Sequence, residues 1–205
     1  MFNRVFVEFE SSRSFYQSLG NEVHTLYKIP EDFNPTKNDL IVLSGGRDIN
    51  PLLYGEEPHP YNQCKEKELG PRDKLCVDLW NLAEEKKIPL LGICRGAQHI
   101  AAMRGIKLIQ HLDDIEGGIR NVEFDGTFWA KVPKCHHQAI PVTKQLNVHA
   151  VTTQKTTGLS FVEAFSLDNG RVIGVQGHPE WCSHPSDNFP SWIHSKFNEY
   201  QLSFS

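Results

Sequence analysis

Residues 88–96 read Ile88-Pro89-Leu90-Leu91-Gly92-Ile93-Cys94-Arg95-Gly96, and this stretch constrains the fold more than any other. A near-continuous apolar run has no polar face to offer water, so it predicts a strand buried on both sides. A G-x-C-x-G turn follows it directly, and a helix through Met103 is predicted after the turn. Strand, sharp turn and helix in that order are the signature of an α/β sheet. The glycines have a steric reason. A nucleophile on a sharp strand-to-helix turn sits in strained backbone, and flanking side chains would clash with it. The helix N-terminus then points at the Cys94 thiol and favours the thiolate. The backbone N–H of Arg95 falls where one oxyanion donor is needed. Most cysteines are simply small buried apolar residues, but here strand, glycines and helix agree on a nucleophile.

The rest of the chain repeats the alternation. Arg4 to Val7 and Glu22 to Tyr27 read as the first two strands, with Ser12 to Gly20 available for a first helix between them. Asp39-Leu40-Ile41-Val42-Leu43 reads as a buried parallel strand ending in Ser44-Gly45-Gly46. From Pro71 to Lys87, Leu75, Leu79, Leu82 and Ala83 share one helical face, opened by Pro71 and closed by Lys86 and Lys87 near the negative dipole end. Beyond Met103 the pattern changes. Asn121 to Lys131, Val148 to Thr153, Phe161 to Ser166 and Arg171 to Gln176 look like strands with little helix between them, which predicts a more antiparallel later part. A closing helix is expected near Ser191 to Gln201. Asn50 to Gly70 is the longest irregular stretch, and loops of that length are often functional.

A base is needed beside the cysteine. Gly174-Val175-Gln176-Gly177-His178-Pro179-Glu180-Trp181 follows a strand, and extended backbone would put His178 and Glu180 on one side. Pro179 biases His178 toward that conformation. A carboxylate beside the imidazole holds one tautomer and stabilises the imidazolium formed when the thiol loses its proton. A lone His-x-Glu pair says little, but after the cysteine turn it becomes a candidate triad.

Composition excludes several classes. With 205 residues, 39% of them hydrophobic, one core is expected and two independent domains are not. A formal net charge of −4 argues against a grip on phosphate backbones, so no nucleic-acid partner is expected. No run approaches the ~18 apolar residues of a membrane span, so a soluble, cytoplasmic protein is expected. The five cysteines, Cys64, Cys76, Cys94, Cys135 and Cys182, are odd in number and include no C-x-x-C pair, which predicts reduced thiols. A metal on Cys135, His136 and His137 with Cys182 and His184 is set aside, because the spacing fits no common zinc pattern.

The motifs together resemble a known family. Gly92-Ile93-Cys94-Arg95-Gly96-Ala97-Gln98 and His178-Pro179-Glu180 are similar to the signatures of class I glutamine amidotransferases. Ser44-Gly45-Gly46-Arg47-Asp48-Ile49-Asn50-Pro51, Tyr54-Gly55-Glu56, Arg72-Asp73 and His136-His137-Gln138 resemble the γ-glutamyl-γ-aminobutyrate hydrolase branch, the peptidase C26 type. The resemblance implies a three-layer, flavodoxin-like α/β fold over residues 1–205, with a mostly parallel central sheet. It implies a thioester on Cys94, with His178 as base and Glu180 as its orienter, acting on a small-molecule γ-glutamyl amide. Backbone N–H groups of Gly46 and Arg95 would form the oxyanion hole, and Gly45, Arg47, Gln98, His136, His137 and Gln138 would hold substrate. No cofactor, metal or membrane partner is implied; a synthetase partner and a homodimer stay open. The same triad would serve a glutaminase subunit feeding ammonia to a synthetase, and the same fold a non-catalytic binding protein. The chain departs from the family pattern in a short N-terminal part, a short 111–135 segment, and Gly177, where Trp or Phe usually precedes the histidine. Loss of that aromatic predicts open space beside the base.

Overall fold

The computed structural model describes residues 1–9, 13–113, 117–182, 184 and 187–203. The chain runs β1 (Phe2–Glu8), α1 (Arg13–Leu19), β2 (Gly20–Leu26), β3 (Leu40–Leu43), α2 (Pro71–Lys86), β4 (Leu90–Ile93), α3 (Arg95–Met103), β5 (Gly118–Phe124), β6 (Phe128–Lys134), β7 (Ile140–Pro141), β8 (Asn147–Thr153), β9 (Ser160–Leu167), β10 (Val172–Val175) and α4 (Phe189–Leu202). Ser12 of the expected first helix lies outside the described residues.

The main sheet has the order β2-β1-β3-β4-β10-β9-β7, with β8 also pairing β9. Pairs from β2 to β10 are parallel, and β9 turns antiparallel against β10, β7 and β8. The strand at Arg171 to Gln176, grouped by sequence with the antiparallel part, therefore closes the parallel half beside β4. The expected strand Asn121 to Lys131 is instead a hairpin, because Asp125 and Gly126 adopt positive φ of 53° and 74° and reverse the chain between β5 and β6.

Alternate side chains of the parallel strands feed two cores. Ile41, Leu43, Leu90 and Val172 pack with α2 and α3 through Leu75, Leu79, Ala97 and Ile100. Leu40, Val42, Leu91, Ile93, Ile173 and Val175 pack on the other face with α1, α4 and the β5–β6 hairpin through Tyr16, Trp192, Phe197 and Val132. A period of two buried on both faces explains why these strands read as continuous apolar runs. The result is three layers, with chemistry expected at the carboxyl ends of the parallel strands. Among the described residues no helix is long and apolar enough to cross a membrane.

Candidate active site

β4 ends at Ile93 and α3 begins at Arg95, so Cys94 alone makes the turn, with φ 50° and ψ −104°. Such backbone costs a non-glycine residue about 1–3 kcal/mol and persists only where its surroundings impose it. Here they do: Cys94 N–H donates to Val175 O at 2.8 Å, and Cys94 O accepts from Gln98 N–H at 3.1 Å. Both flanking glycines are sterically required. A Cβ on Gly92 would meet Ala97 N at 2.7 Å, and one on Gly96 would meet Leu43 O at 1.9 Å.

The neighbouring strand brings the predicted base. β10 ends at Val175, and shortly after it the His178 N–H donates to Pro133 O on β6 at 2.9 Å. His178 Nδ1 meets Glu180 Oε1 at 2.7 Å, with both side chains 5% exposed or less. The carboxylate comes round by a short 3₁₀ turn at Pro179–Trp181, not by the extended backbone expected between the two residues. With Nδ1 committed to Glu180, Nε2 is the ring nitrogen left for Cys94. Burial pulls the His178 pKa down, but hydrogen bonds and charge interactions with Cys94 and Glu180 outweigh it and push it up to about 10.

A third loop closes over the pair. A Cβ on Gly45 would stand 2.7 Å from His178 Cε1 and 3.7 Å from Cys94 Cβ, so the bare backbone after β3 lies against both residues. Arg72 holds this loop from behind. Its guanidinium pairs with the buried Glu8 carboxylate and donates to Gly45 O at 2.9 Å and Ser44 Oγ at 3.2 Å. Since C=O and N–H point opposite ways across a trans peptide, anchoring Gly45 O on Arg72 turns the Gly46 N–H away from it. Arg72 and Asp73 thus do more than open α2: Asp73 accepts from the buried Arg95 guanidinium and from Asn50 N–H.

Residues 36–126 match the peptidase C26 family model. The γ-glutamyl-γ-aminobutyrate hydrolase of Shigella flexneri is 31% identical over 183 residues, covering 75% of this chain and 68% of that protein. The chain belongs to the peptidase C26 family. The Mycobacterium tuberculosis protein Rv2859c, named as a glutamine amidotransferase, is 35% identical over 162 residues; the match takes in 68% of this chain and 50% of that protein's length. A glutamine amidotransferase of Thermotoga maritima, 20% identical, superposes with a TM-score of 0.62 over 99% of this chain and 86% of its own, which shows the shared fold.

Around this C26 centre, the residues expected to hold substrate divide. Gln98 is buried, and its Nε2 donates to Gln138 O at 3.2 Å and Gln176 Oε1 at 3.3 Å. The Gln138 side chain is 1% exposed, and neither of its amide atoms has a partner, so a polar group is poised without one beside Gln98. His136 gives Nδ1 to Gln138 O at 2.8 Å and leaves Nε2 buried and unpartnered. By contrast, His137 is engaged by Asp48 at 2.9 Å and by His111 at 3.3 Å, and the Arg47 guanidinium donates to Gln63 O at 3.1 Å. Both side chains brace the 50–70 loop, as do Asp48, which accepts from Gln63 N–H, and Glu56, which pairs with Lys107. Among the described residues no group of His, Cys, Asp or Glu is placed to hold a metal ion.

Gly177 does not open space beside the base. A Cβ there would lie 2.0 Å from Val132 Cγ1, 2.9 Å from Pro133 O and 3.3 Å from Phe189 Cε1. The β5–β6 hairpin fills the position, so a side chain cannot enter without displacing β6. Gly177→Ala is expected to cost about 1–3 kcal/mol of stability by overpacking, read as a lower denaturant midpoint; an unchanged midpoint would contradict the packing described.

Two neighbours of the pair escaped sequence reasoning. Gln176 is 1% exposed, and its Nε2 points at Cys94 Sγ at 3.7 Å; its signal was a polar residue ending an otherwise apolar strand. Trp181 lies flat on His178, with ring centroids 3.7 Å apart at 4°, while remaining half exposed. A centred face-to-face stack is poor for two neutral rings and favourable when one is cationic, so it suits imidazolium.

The buried histidines set opposite pH dependences. Burial, together with charges including Arg120 and His178, takes His136 down to about 3 despite its bond to Gln138, and burial takes His99 to about 3. Between pH 6.5 and 3 the unfolded chain therefore binds protons at both that the fold refuses, and stability falls as pH drops, by up to about 1.4 kcal/mol per unit for each. His178 is raised, so its contribution is complete below pH 6.5 and is lost as pH rises toward about 10. NMR titration of imidazole resonances should show His178 protonated at about pH 8 and His136 and His99 neutral at about pH 5. Three histidines titrating together near 6.5 would refute this.

Proposed function

We propose that this chain hydrolyses the C–N bond of a γ-glutamyl amide, either a γ-glutamyl-amine conjugate or glutamine, through a thioester on Cys94. The observation that carries the reading is the pairing of Cys94, held at positive φ on the β4–α3 turn, with His178 backed by buried Glu180. The names of the relatives support the glutamyl half of the substrate.

Cys94 sulfur attacks the γ-carbonyl carbon as thiolate, its proton residing on His178. The N–H groups of Gly46 and Arg95 hold the resulting oxyanion, the first turned inward by the Arg72 anchor and the second freed at the start of α3. Collapse breaks the C–N bond as His178 gives its proton to the leaving nitrogen. Water then attacks the thioester with His178 as base, the oxyanion forms again, and glutamate leaves. Glu180 fixes the tautomer and stabilises the imidazolium. Gln98 and the unpartnered amide of Gln138 supply polar contacts for the glutamyl head.

The test is a screen of γ-glutamyl amides and glutamine with the chain alone, with covalent labelling of Cys94 by a glutamine-analogue electrophile. Turnover with labelling supports a free-standing hydrolase. Labelling with negligible turnover until a synthetase is supplied would mark an ammonia-donating component of a larger enzyme. Neither labelling nor turnover would sink the reading.

A further inference from the structure

A cavity of about 390 Å³ next to the candidate site has no place in the chemistry above. It is walled by Arg120 on β5, Lys134 at the end of β6, His136, and the stretch from Thr152 to Thr156 where β8 ends. Topology sets it beside Cys94. The start of β9 and the end of β8 lie at the carboxyl edge of the parallel strands, because β9 runs antiparallel to β10 and β8 antiparallel to β9. Gln176 joins the two places: its N–H donates to Glu163 O on β9 at 2.8 Å, and its side chain points at Cys94. The segment bearing Lys134 and His136 follows Pro133, whose carbonyl holds the His178 N–H. The segment that leads into the cavity therefore also holds His178, the group that must protonate the leaving nitrogen.

Its chemistry is one-sided. Arg120, Lys134 and Lys155 bring cations to the wall, and among the described residues no carboxylate lines it. Glu163, buried on β9, pairs with Arg120. Among the described residues, cations outnumber carboxylates around the cavity. The hydroxyls of Thr152, Thr153 and Thr156 lie along the same surface, that of Thr153 bonded to Ser160 at 2.8 Å. Two further donors have nothing to bond: Arg120 Nε, and Nε2 of Gln154, a cavity residue only 7% exposed. A buried donor without an acceptor is costly, and a ligand rich in acceptor oxygens would satisfy both. One carboxylate would match one cation; a phosphate carries about two charges and three strong acceptor oxygens.

We propose that this cavity is a binding subsite for a phosphoryl group carried on the amine side of the γ-glutamyl substrate, anchored by Arg120, Lys134 and Lys155. The proposal rests on the hydrolase reading and narrows it: the amine released would bear a phosphate.

The experiment compares three substrates that differ only in the tail: γ-glutamyl-ethanolamine, γ-glutamyl-γ-aminobutyrate and γ-glutamyl-phosphoethanolamine. The phosphate tail should give the highest kcat/KM, roughly tenfold or more above the neutral tail, as expected for one or two charge-assisted hydrogen bonds. Lys155→Gln, an exposed change that spares the core, should collapse this ratio through KM, and Lys155→Arg should restore it. Phosphoethanolamine should also slow covalent labelling of Cys94 in the wild type but much less in Lys155→Gln. Equal rates for the three tails, or a carboxylate tail that outperforms the phosphate, would overturn the assignment while leaving the hydrolase reading standing. No hydrolysis of any tail together with no labelling of Cys94 would overturn both.

Discussion

Cys94→Ala is expected to reduce γ-glutamyl amide hydrolysis by about 10⁴-fold or more, the scale seen when a covalent nucleophile is removed and only binding and oxyanion stabilisation remain. The loss should fall on kcat, because the sulfur bonds to substrate only in the covalent steps. Alanine leaves the turn as it is, since the positive φ is imposed by the Cys94 N–H bond to Val175 and by the glycines on either side. Folding should therefore be intact by circular dichroism and by its melting temperature. A variant that keeps activity within about tenfold of wild type would place the nucleophile elsewhere; Cys182, half-buried beyond Trp181, would be the next thiol to replace.

Gly96→Ala should be the most damaging single methyl group in the chain. Its Cβ would sit 1.9 Å from Leu43 O and 2.6 Å from Leu43 C, which are backbone atoms of a central strand whose side chains are wholly buried. No rotamer relieves such an overlap, so α3 must move off β3. Alanine does favour helix over glycine by about 1 kcal/mol, but the overlap should outweigh this by about 3 kcal/mol or more. For a chain of this size that lowers Tm by roughly 6–12 °C. Activity should fall beyond the stability effect, because moving the start of α3 also moves the Arg95 N–H away from the developing oxyanion. A Tm equal to that of wild type would show that the contact can relax.

What could be read in the sequence is what neighbouring residues decide among themselves. The buried strand at 90–93, the glycines around Cys94, the helix after it and the parallel strand at 40–43 all follow from local sterics and from a period-two burial that leaves no polar face. Comparison with relatives then assigned the chain to the peptidase C26 family. Where the sequence misled, the missing fact was always another part of the chain. Gly177 promised open space, and β6 fills it. Arg72 belonged to a motif with no role assigned, and it holds Gly45 through a pair with Glu8, 64 residues away. Trp181 had no partner to suggest its role until the 3₁₀ turn laid it on His178. The turn that presents the Cys94 thiol is thus a property of a few consecutive residues. The base, its carboxylate, the polar groups around them and the cationic cavity beside them come from β1, β5, β6, β9, β10 and α2, which only long-range packing brings to one edge of the sheet.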